Sequence, residues 1–169
     1  TLEYLAELTM SVLANQQARD PELGYVTDLP LVVRDLLPAF ESQPNLRLVT
    51  NAGGVNPQAC ARSVARILDE AGLSDTVVAA VGGDNLLPDR ETHHSEGEDF
   101  INLETGRPLS DIAAEVGSAH AYLGASGIVD ALAQNARIVI TGRVADASLV
   151  LGPCLHEFGW QWDDWQKLA

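Results

Sequence analysis

Three apolar residues, Ile138-Val139-Ile140, run directly into a polar turn, Thr141-Gly142-Arg143-Val144-Ala145-Asp146-Ala147-Ser148, and an apolar helix-like run follows. This order predicts a strand, a tight turn and a helix. In open α/β sheets, ligands bind where strands end and helices begin. The turn carries a guanidinium, a carboxylate and hydroxyl groups, so we expect a ligand site at this junction.

Two other junctions of the chain have the same character. One is Val49-Thr50-Asn51-Ala52-Gly53-Gly54-Val55-Asn56-Pro57, and the other is Val81-Gly82-Gly83-Asp84-Asn85. In a parallel sheet the three turns would lie at one edge and form a pocket.

The apolar runs outline the rest of the fold. Strands are predicted at 46–50, 76–81 and 137–141, and the first two are joined by a helix that begins at Pro57 and ends before Gly72. Further helices are predicted at 2–18, at 31–42 and at about 146–158, where Gly152-Pro153 should kink or split the helix. The 76–81 run, uncharged and rich in β-branched residues, is typical of a strand covered on both faces.

These elements predict an α/β fold: a mostly parallel, doubly wound, Rossmann-like sheet with helices on both faces. We expect residues 1–169 to form part of a single domain. The stretch 83–111 has no regular period and is expected to be a long irregular excursion.

Composition restricts the partners. Lys+Arg is 10 and Asp+Glu is 24, a formal net charge of −14. Such charge repels nucleic acid and anionic membrane surfaces, so we expect neither as partner, although a locally positive pocket can still bind an anionic small molecule. Cys60 and Cys154 lie in apolar runs and are expected to be free thiols, which fits the cytoplasm.

The turn Asn51–Asn56 offers two interpretations. Backbone N–H groups at a helix N-terminus bind phosphate or carboxylate, and Asn51, Gly53, Gly54 and Asn56 are the candidate contacts. Alternatively, the glycines serve a tight turn that needs positive φ.

In the turn after the last strand, Arg143 is the candidate clamp for a carboxylate or phosphate. Asp146 is a candidate general base, with Thr141, Gly142 and Ser148 lining the site. The alternative is an Arg143–Asp146 salt bridge with Asp146 capping the helix.

Two further acidic residues are candidates. Glu7 becomes a candidate acid if the first helix ends near the pocket, and is otherwise a solvated residue. Asp84 is a candidate to hold a ribose hydroxyl or a magnesium-bound water, or else is an ordinary turn aspartate. His93, His94, Glu96 and Asp99 invite a metal interpretation, but adjacent loop histidines fit an exposed polar loop better, so no metal and no cofactor is assigned.

Five blocks of the chain resemble the acyclic terpene utilisation A family in order: Tyr4–Met10, Thr50–Pro57, Phe100–Gly106, Ala121–Ala125 and Thr141–Asp146, the last continuing into His156–Trp160. The resemblance covers essentially the whole chain. It departs at His120, where the family leads us to expect asparagine.

Family members are longer, so the resemblance implies that this chain is an internal piece lacking a first strand and a C-terminal continuation. An unpaired sheet edge would favour association, and we expect a homo-oligomer. The resemblance also implies catabolism of citronellol- and geraniol-type terpenes through CoA thioesters.

Together these observations give the hypothesis of a catabolic enzyme, of the hydratase or lyase class, that acts on an acyl-CoA or carboxylate of acyclic terpene or related branched-acid degradation. Arg143 would hold the anion and Asp146 or Glu7 would transfer protons. The alternative is a non-catalytic binding or assembly subunit whose tail, with Trp160, Trp162 and Trp165, meets a partner.

Overall fold

The computed structural model of the protein describes residues 1–89, 97 and 100–169. Its helices are α1 Glu7–Arg19, α2 Leu29–Ser42, α3 Pro57–Glu70, α4 Ser126–Ala133, α5 Ser148–Phe158 and α6 Trp165–Leu168. Its strands are β1 Leu48–Thr50, β2 Val78–Val81 and β3 Ile138–Thr141. A 3₁₀ turn, Leu109–Ile112, lies in the long excursion. The metal interpretation at His93, His94, Glu96 and Asp99 falls outside the described residues.

The three strands form one parallel sheet in the order β1-β3-β2. Ile138 of β3 is paired with Leu48 on one side and with Val78 on the other. The α/β class with a parallel sheet is therefore confirmed, whereas the described residues do not establish a doubly wound, Rossmann-like arrangement.

Alternate residues of the central strand enter two different cores. Ile138 and Ile140 pack with residues of α2 and α3, while Val139 packs with residues of α4 and α5. Side chains on a strand alternate between its faces, so the sheet is covered by a helical layer on each side. All three residues are fully buried, and burial of each such side chain contributes about 1.5–3 kcal/mol.

The position of β3 corrects the expectation for the 76–81 strand. Because β3 lies between β1 and β2, β2 is an edge strand. Its residues are half-buried or exposed, unlike the fully buried β1 and β3. β2 contacts helices on both faces, with Val78 against the α2–α3 core and Ala79 and Val81 against the α4–α5 core, but as an edge strand it is only partly covered.

The first helix begins later than the sequence predicts. Residues 2–5 are extended instead of helical, and the Leu2 N–H donates to the Val49 carbonyl at 3.0 Å. This pairing places the N-terminal segment beside β1, in a parallel bridge between Leu2 and Thr50. It carries Leu5 and Glu7 towards the carboxyl ends of the strands.

Two local predictions have different outcomes. Asn56 caps α3 through its side chain, with Pro57 in the first turn, as predicted. The predicted split at Gly152-Pro153 is wrong, because α5 continues through both residues. A Cβ on Gly152 would lie 2.6 Å from Cγ2 of Ile128, so this glycine lets α5 pack closely on α4. That packing offsets the stability lost because Pro153 has no N–H to donate to the helix.

Within the described residues, no helix combines the length and apolar character needed to cross a membrane.

Candidate functional site

The three glycine-containing turns meet at the carboxyl ends of the strands. The Gly53 N–H donates to the Thr141 carbonyl at 3.1 Å, which joins the turns after β1 and β3. The Asp84 carboxylate accepts the Arg143 backbone N–H at 2.9 Å, which joins the turns after β2 and β3. The sheet edge therefore brings Thr141, Arg143 and Asp84 into one site.

Arg143 lies at the centre of this site, and only 5% of its side chain is exposed. Its Nη1 donates to the Leu5 carbonyl at 2.8 Å, and its guanidinium carbon lies 4.1 Å from the centroid of the Tyr122 ring. Nη2 lies 3.6 Å from a carboxylate oxygen of Glu7 and 3.6 Å from one of Asp146. The guanidinium is thus fixed by a carbonyl and a ring, with two carboxylates nearby at longer range.

The two carboxylate side chains near the guanidinium are largely exposed to solvent. The side chains of Glu7 and Asp146 are 79% and 58% exposed. The Tyr122 hydroxyl donates a hydrogen bond to Glu7. That bond is the largest cause of a lowered pKa of the Glu7 carboxyl, and a backbone hydrogen bond lowers it further. Desolvation opposes this shift, and the charge of Arg143 is the weakest of the causes that lower the pKa. Glu7 is therefore held as a carboxylate, the form that accepts a proton.

Asp84 contrasts with these residues because it is 3% exposed. Its Oδ2 accepts the Arg143 N–H, and the same oxygen lies 2.8 Å from Nδ1 of His120. A Cβ on Gly142 would lie 2.5 Å from Oδ1 of Asp84. Glycine at position 142 is thus what allows this carboxylate to lie against the turn.

The backbone of the turn after β1 is engaged within the protein. The N–H groups of residues 53–56 donate to the carbonyls of Thr141, Asn51, Gly24 and Gly53, respectively. Gly54 has φ +55°, a conformation that favours glycine. The amides that a phosphate would use already have partners.

The Asn51 side chain is fully buried at the end of β1. Its Oδ1 accepts the Tyr4 N–H at 2.7 Å, which ties the N-terminal segment to the sheet. Its Nδ2 has no hydrogen-bond partner among the described residues. A buried amide without a partner costs about 1–3 kcal/mol, so this donor is available to a bound polar group.

The side chains of three other candidates are engaged elsewhere or buried. Asn56 caps α3 and donates from Nδ2 to the carbonyls of Pro21 and Leu23 at 2.9 and 2.8 Å. Ser148 is buried in the first turn of α5. The buried Thr141 hydroxyl donates to the neighbouring Gly142 carbonyl at 2.9 Å. No side chain caps α5, and Asp146 instead pairs with Arg143.

A cleft of about 420 Å³ lies between α1 and residues 115–118. Its α1 wall is formed by small and polar residues, Ser11, Ala14, Asn15 and Ala18. Residues spaced by three and four lie on one helix face, and this face begins with Glu7, one turn before Ser11. The cleft has the volume typical of small-molecule sites, which is about 300–1,000 Å³.

Sequence reasoning missed two members of the site, Tyr122 and His120. Both lie in a short extended segment that bridges to Asn85 through His120 and to Val144 through Leu123. Tyr122 belongs to a block that carries the family resemblance, which was the available signal. The pairing of His120 with Asp84 joins positions 36 residues apart, and no local pattern marks it.

In the described part of the chain, no group of three or more His, Cys, Asp or Glu side chains is arranged to hold a metal ion. Asn51, Arg143 and Glu7 remain the groups that can contact a polar organic ligand.

Comparison with known proteins found one relationship. The sequence model of the family described as "Acyclic terpene utilisation family protein AtuA" matches residues 1–169. Neither the curated proteins nor the solved structures contain a match. Membership implies involvement in acyclic terpene utilisation. Because the match spans the whole chain, the chain belongs to the acyclic terpene utilisation family AtuA.

Proposed function

We propose that this protein is an enzyme of acyclic terpene or related branched-acid catabolism, of the hydratase or lyase class, which binds an acyl-CoA or a free carboxylate at the Arg143 site. The observation that carries the proposal is that the Arg143 guanidinium is buried and held in place without a close carboxylate partner. A buried guanidinium is rigidly held, yet its two carboxylate neighbours are solvent-exposed and 3.6 Å away, beyond hydrogen-bond distance.

Ion pairs with exposed carboxylates are weak because water screens them, so a ligand anion can displace Glu7 or Asp146 from the guanidinium. A bidentate pair between a guanidinium and a carboxylate is stronger and directional. The binding of a substrate anion would then leave Glu7 or Asp146 free to accept a proton. The lowered pKa of Glu7 keeps this residue in the carboxylate form.

The position of the cleft supports a substrate whose anionic end binds Arg143 and whose chain extends along α1. It starts one helical turn, about 6 Å along the helix axis, from Glu7. Its lining mixes Ala14, Ala18 and Val116 with polar side chains. A branched chain or the pantetheine arm of a thioester would lie in this cleft, with its polar end at Arg143.

The experiment is a thermal-shift measurement with three probes: 3-methylbut-2-enoate, 3-methylbut-2-enoyl-CoA and CoA alone. A ligand that binds the native protein at 100 times its Kd should add about 2.7 kcal/mol of stability. We expect stabilisation by the thioester or the free acid. Arg143→Lys, which keeps the charge but loses the fork, should abolish it.

A matched pair of variants tests the cleft. Ser11→Phe places bulk in the cleft, whereas Val12→Phe places the same bulk on the adjacent, 49% exposed residue outside it. The first variant should lose the thermal shift and the second should keep it. No stabilisation of the unmodified protein by any of the three probes would refute the proposed function.

A second candidate function, an assembly subunit, is favoured by the C-terminal tail. Phe158, Trp162 and Trp165 are 67%, 53% and 72% exposed, an unusual amount of exposed aromatic surface. Under this proposal the tail meets a second copy of the chain. Sedimentation velocity should then show an oligomer that Trp162→Ser with Trp165→Ser dissociates, and a monomeric unmodified protein would exclude this function.

A further inference from the structure

Asp84 and His120 form a buried pair beside the Arg143 site. Their side chains are 4% and 8% exposed, and Oδ2 of Asp84 lies 2.8 Å from Nδ1 of His120. None of the roles described above uses the imidazole. A histidine oriented by a buried carboxylate is the arrangement that many enzymes use for proton transfer.

The backbone fixes this pair from both sides. The Ala121 N–H donates to the Asp84 carbonyl at 2.7 Å, and the Leu86 N–H donates to the Ala119 carbonyl at 2.9 Å. The Asp84 side chain is held further by the Arg143 N–H. The backbone position of both residues is thus fixed, and the Asp84 carboxylate is held by two hydrogen bonds, one of which orients the His120 ring.

The hydrogen bonds of Asp84 lead us to assign one tautomer to His120. Because Oδ2 of Asp84 accepts the Arg143 N–H, we assign the same carboxylate oxygen as the acceptor towards His120. In the neutral imidazole Nδ1 then carries the hydrogen, and Nε2 carries the lone pair. Nε2 makes no hydrogen bond within the part of the chain that the structure describes. The basic nitrogen is therefore left for a bound group.

His120 lies next to the candidate site. It is two residues before Tyr122, whose ring stacks on Arg143 and whose hydroxyl binds Glu7. Oδ2 of Asp84 joins the imidazole to the same site, because that oxygen contacts both Nδ1 of His120 and the backbone N–H of Arg143.

We propose that His120, in place of Glu7 or Asp146, is the catalytic proton-transfer residue of this site and that Asp84 is its positioning residue, an inference that otherwise rests on the proposed function. Nε2 takes a proton from water as the water oxygen bonds to the β-carbon of a branched α,β-unsaturated thioester. The double-bond electron pair moves onto the thioester carbonyl oxygen. The resulting enolate then takes the proton from His120 at its α-carbon, so that one water is added in total.

The test measures hydration of 3-methylbut-2-enoyl-CoA, through the loss of its conjugated absorbance and the mass of the product, together with the thermal shift on binding. His120→Asn is the central variant, because the Asn Nδ2 can replace Nδ1 as the donor to Asp84 but cannot transfer the proton. Asparagine is also the residue that the family resemblance leads us to expect at position 120, so the proposed role is one of this chain and not of the family. We expect it to bind the thioester normally and to lose roughly 100- to 10,000-fold in rate. His156→Asn, on helix α5, is the matched control and should keep both the binding of the thioester and the rate of hydration.

A spectroscopic measurement separates positioning from stability. In protein labelled with ¹⁵N-histidine, the neutral His120 ring should be the Nδ1–H tautomer, and Asp84→Asn should shift it towards a mixture of tautomers. A merely structural Asp84 would leave the tautomer unchanged.

The outcomes are distinguishable. Retained turnover in His120→Asn, or thioester binding without any turnover by the unmodified protein, would overturn the proton-transfer role while leaving the binding site intact. An Nε2–H tautomer in the unmodified protein would also overturn it. Failure of the unmodified protein to bind the thioester or the free acid would instead overturn the proposed function, and this inference with it.

Discussion

The Tyr122 hydroxyl donates a hydrogen bond to the Glu7 carboxylate across 115 positions of the chain. It joins the start of α1 to the extended segment that crosses the sheet edge. The face of the same tyrosine ring lies 4.1 Å from the Arg143 guanidinium carbon. One side chain thus holds a cation on its face and an anion at its hydroxyl.

Replacement of Tyr122 by phenylalanine should raise the pKa of Glu7. The hydroxyl is the largest of the causes that lower this pKa, and phenylalanine keeps the ring over Arg143 while it removes the hydroxyl. The measurement is a ¹³C NMR titration of the Glu7 carboxyl in both proteins. An unchanged pKa would show that the Tyr122 hydroxyl does not set it.

The same variant should show a stability difference that depends on pH. A carboxyl whose pKa is lower in the folded protein contributes stability that is present above its unfolded pKa and is lost as pH falls through its folded pKa. We therefore expect Tyr122→Phe to be less stable than the unmodified protein at neutral pH. The difference in free energy of unfolding should decrease at acidic pH, in urea titrations at several pH values.

Replacement of Gly142 by alanine should disturb the Asp84 carboxylate directly. The added Cβ would lie 2.5 Å from Oδ1 and 2.6 Å from Oδ2, and overpacking of a buried site costs about 1–3 kcal/mol. Urea unfolding measures the loss. Gly117→Ala is the control, since nothing lies within 4 Å of its Cβ position. Equal stability of the two variants would contradict the close packing of Asp84 on the turn.

The local elements of this fold could be predicted because their signals are local. Asn56, Pro57 and Gly72 mark the two ends of α3 by capping chemistry and positive φ, and each is found in that role. Gly159 likewise ends α5 in the left-handed conformation. These helix ends depend only on residues that are adjacent in the sequence, so they can be predicted from the sequence.

The strand order and the centre of the site could not be predicted in this way. The position of β3 between β1 and β2 depends on how whole helices pack. This position makes β2, which the sequence predicts as a covered strand, an edge strand. Arg143 and Asp146 were recognised because they share one turn. Tyr122 and His120 were not, because their partners Glu7 and Asp84 lie 115 and 36 residues away.

Replacement of Asn56 by alanine should destabilise the protein by about 2–4 kcal/mol. The cap to the Ala59 N–H is worth about 1 kcal/mol, and the two bonds from Nδ2 to Pro21 and Leu23 add about 0.5–1.5 kcal/mol each. Asn56→Ser keeps the cap but loses both donors, so it should recover only part of the loss.

Asn45→Ala, at an exposed position outside any helix or strand, is the control for this series and should stay within about 0.5 kcal/mol of the unmodified protein. Denaturant titration measures all three variants. If Asn56→Ser were as stable as the unmodified protein, the contacts to the 21–23 segment would contribute nothing and the cap alone would matter.

The Cys60 thiol should be inert in the folded protein. It is fully buried in the core between α3 and the sheet, and this burial raises its pKa to about 12. At pH 8 the thiolate fraction is then roughly one in ten thousand, and the thiolate is the reactive form. In Cys154→Ser protein, where Cys60 is the remaining cysteine, a disulfide reagent should label no thiol in buffer and one thiol per chain in denaturant. Labelling in buffer at the rate of a free thiol would mean that the α3 face of the core opens readily, contrary to its complete burial.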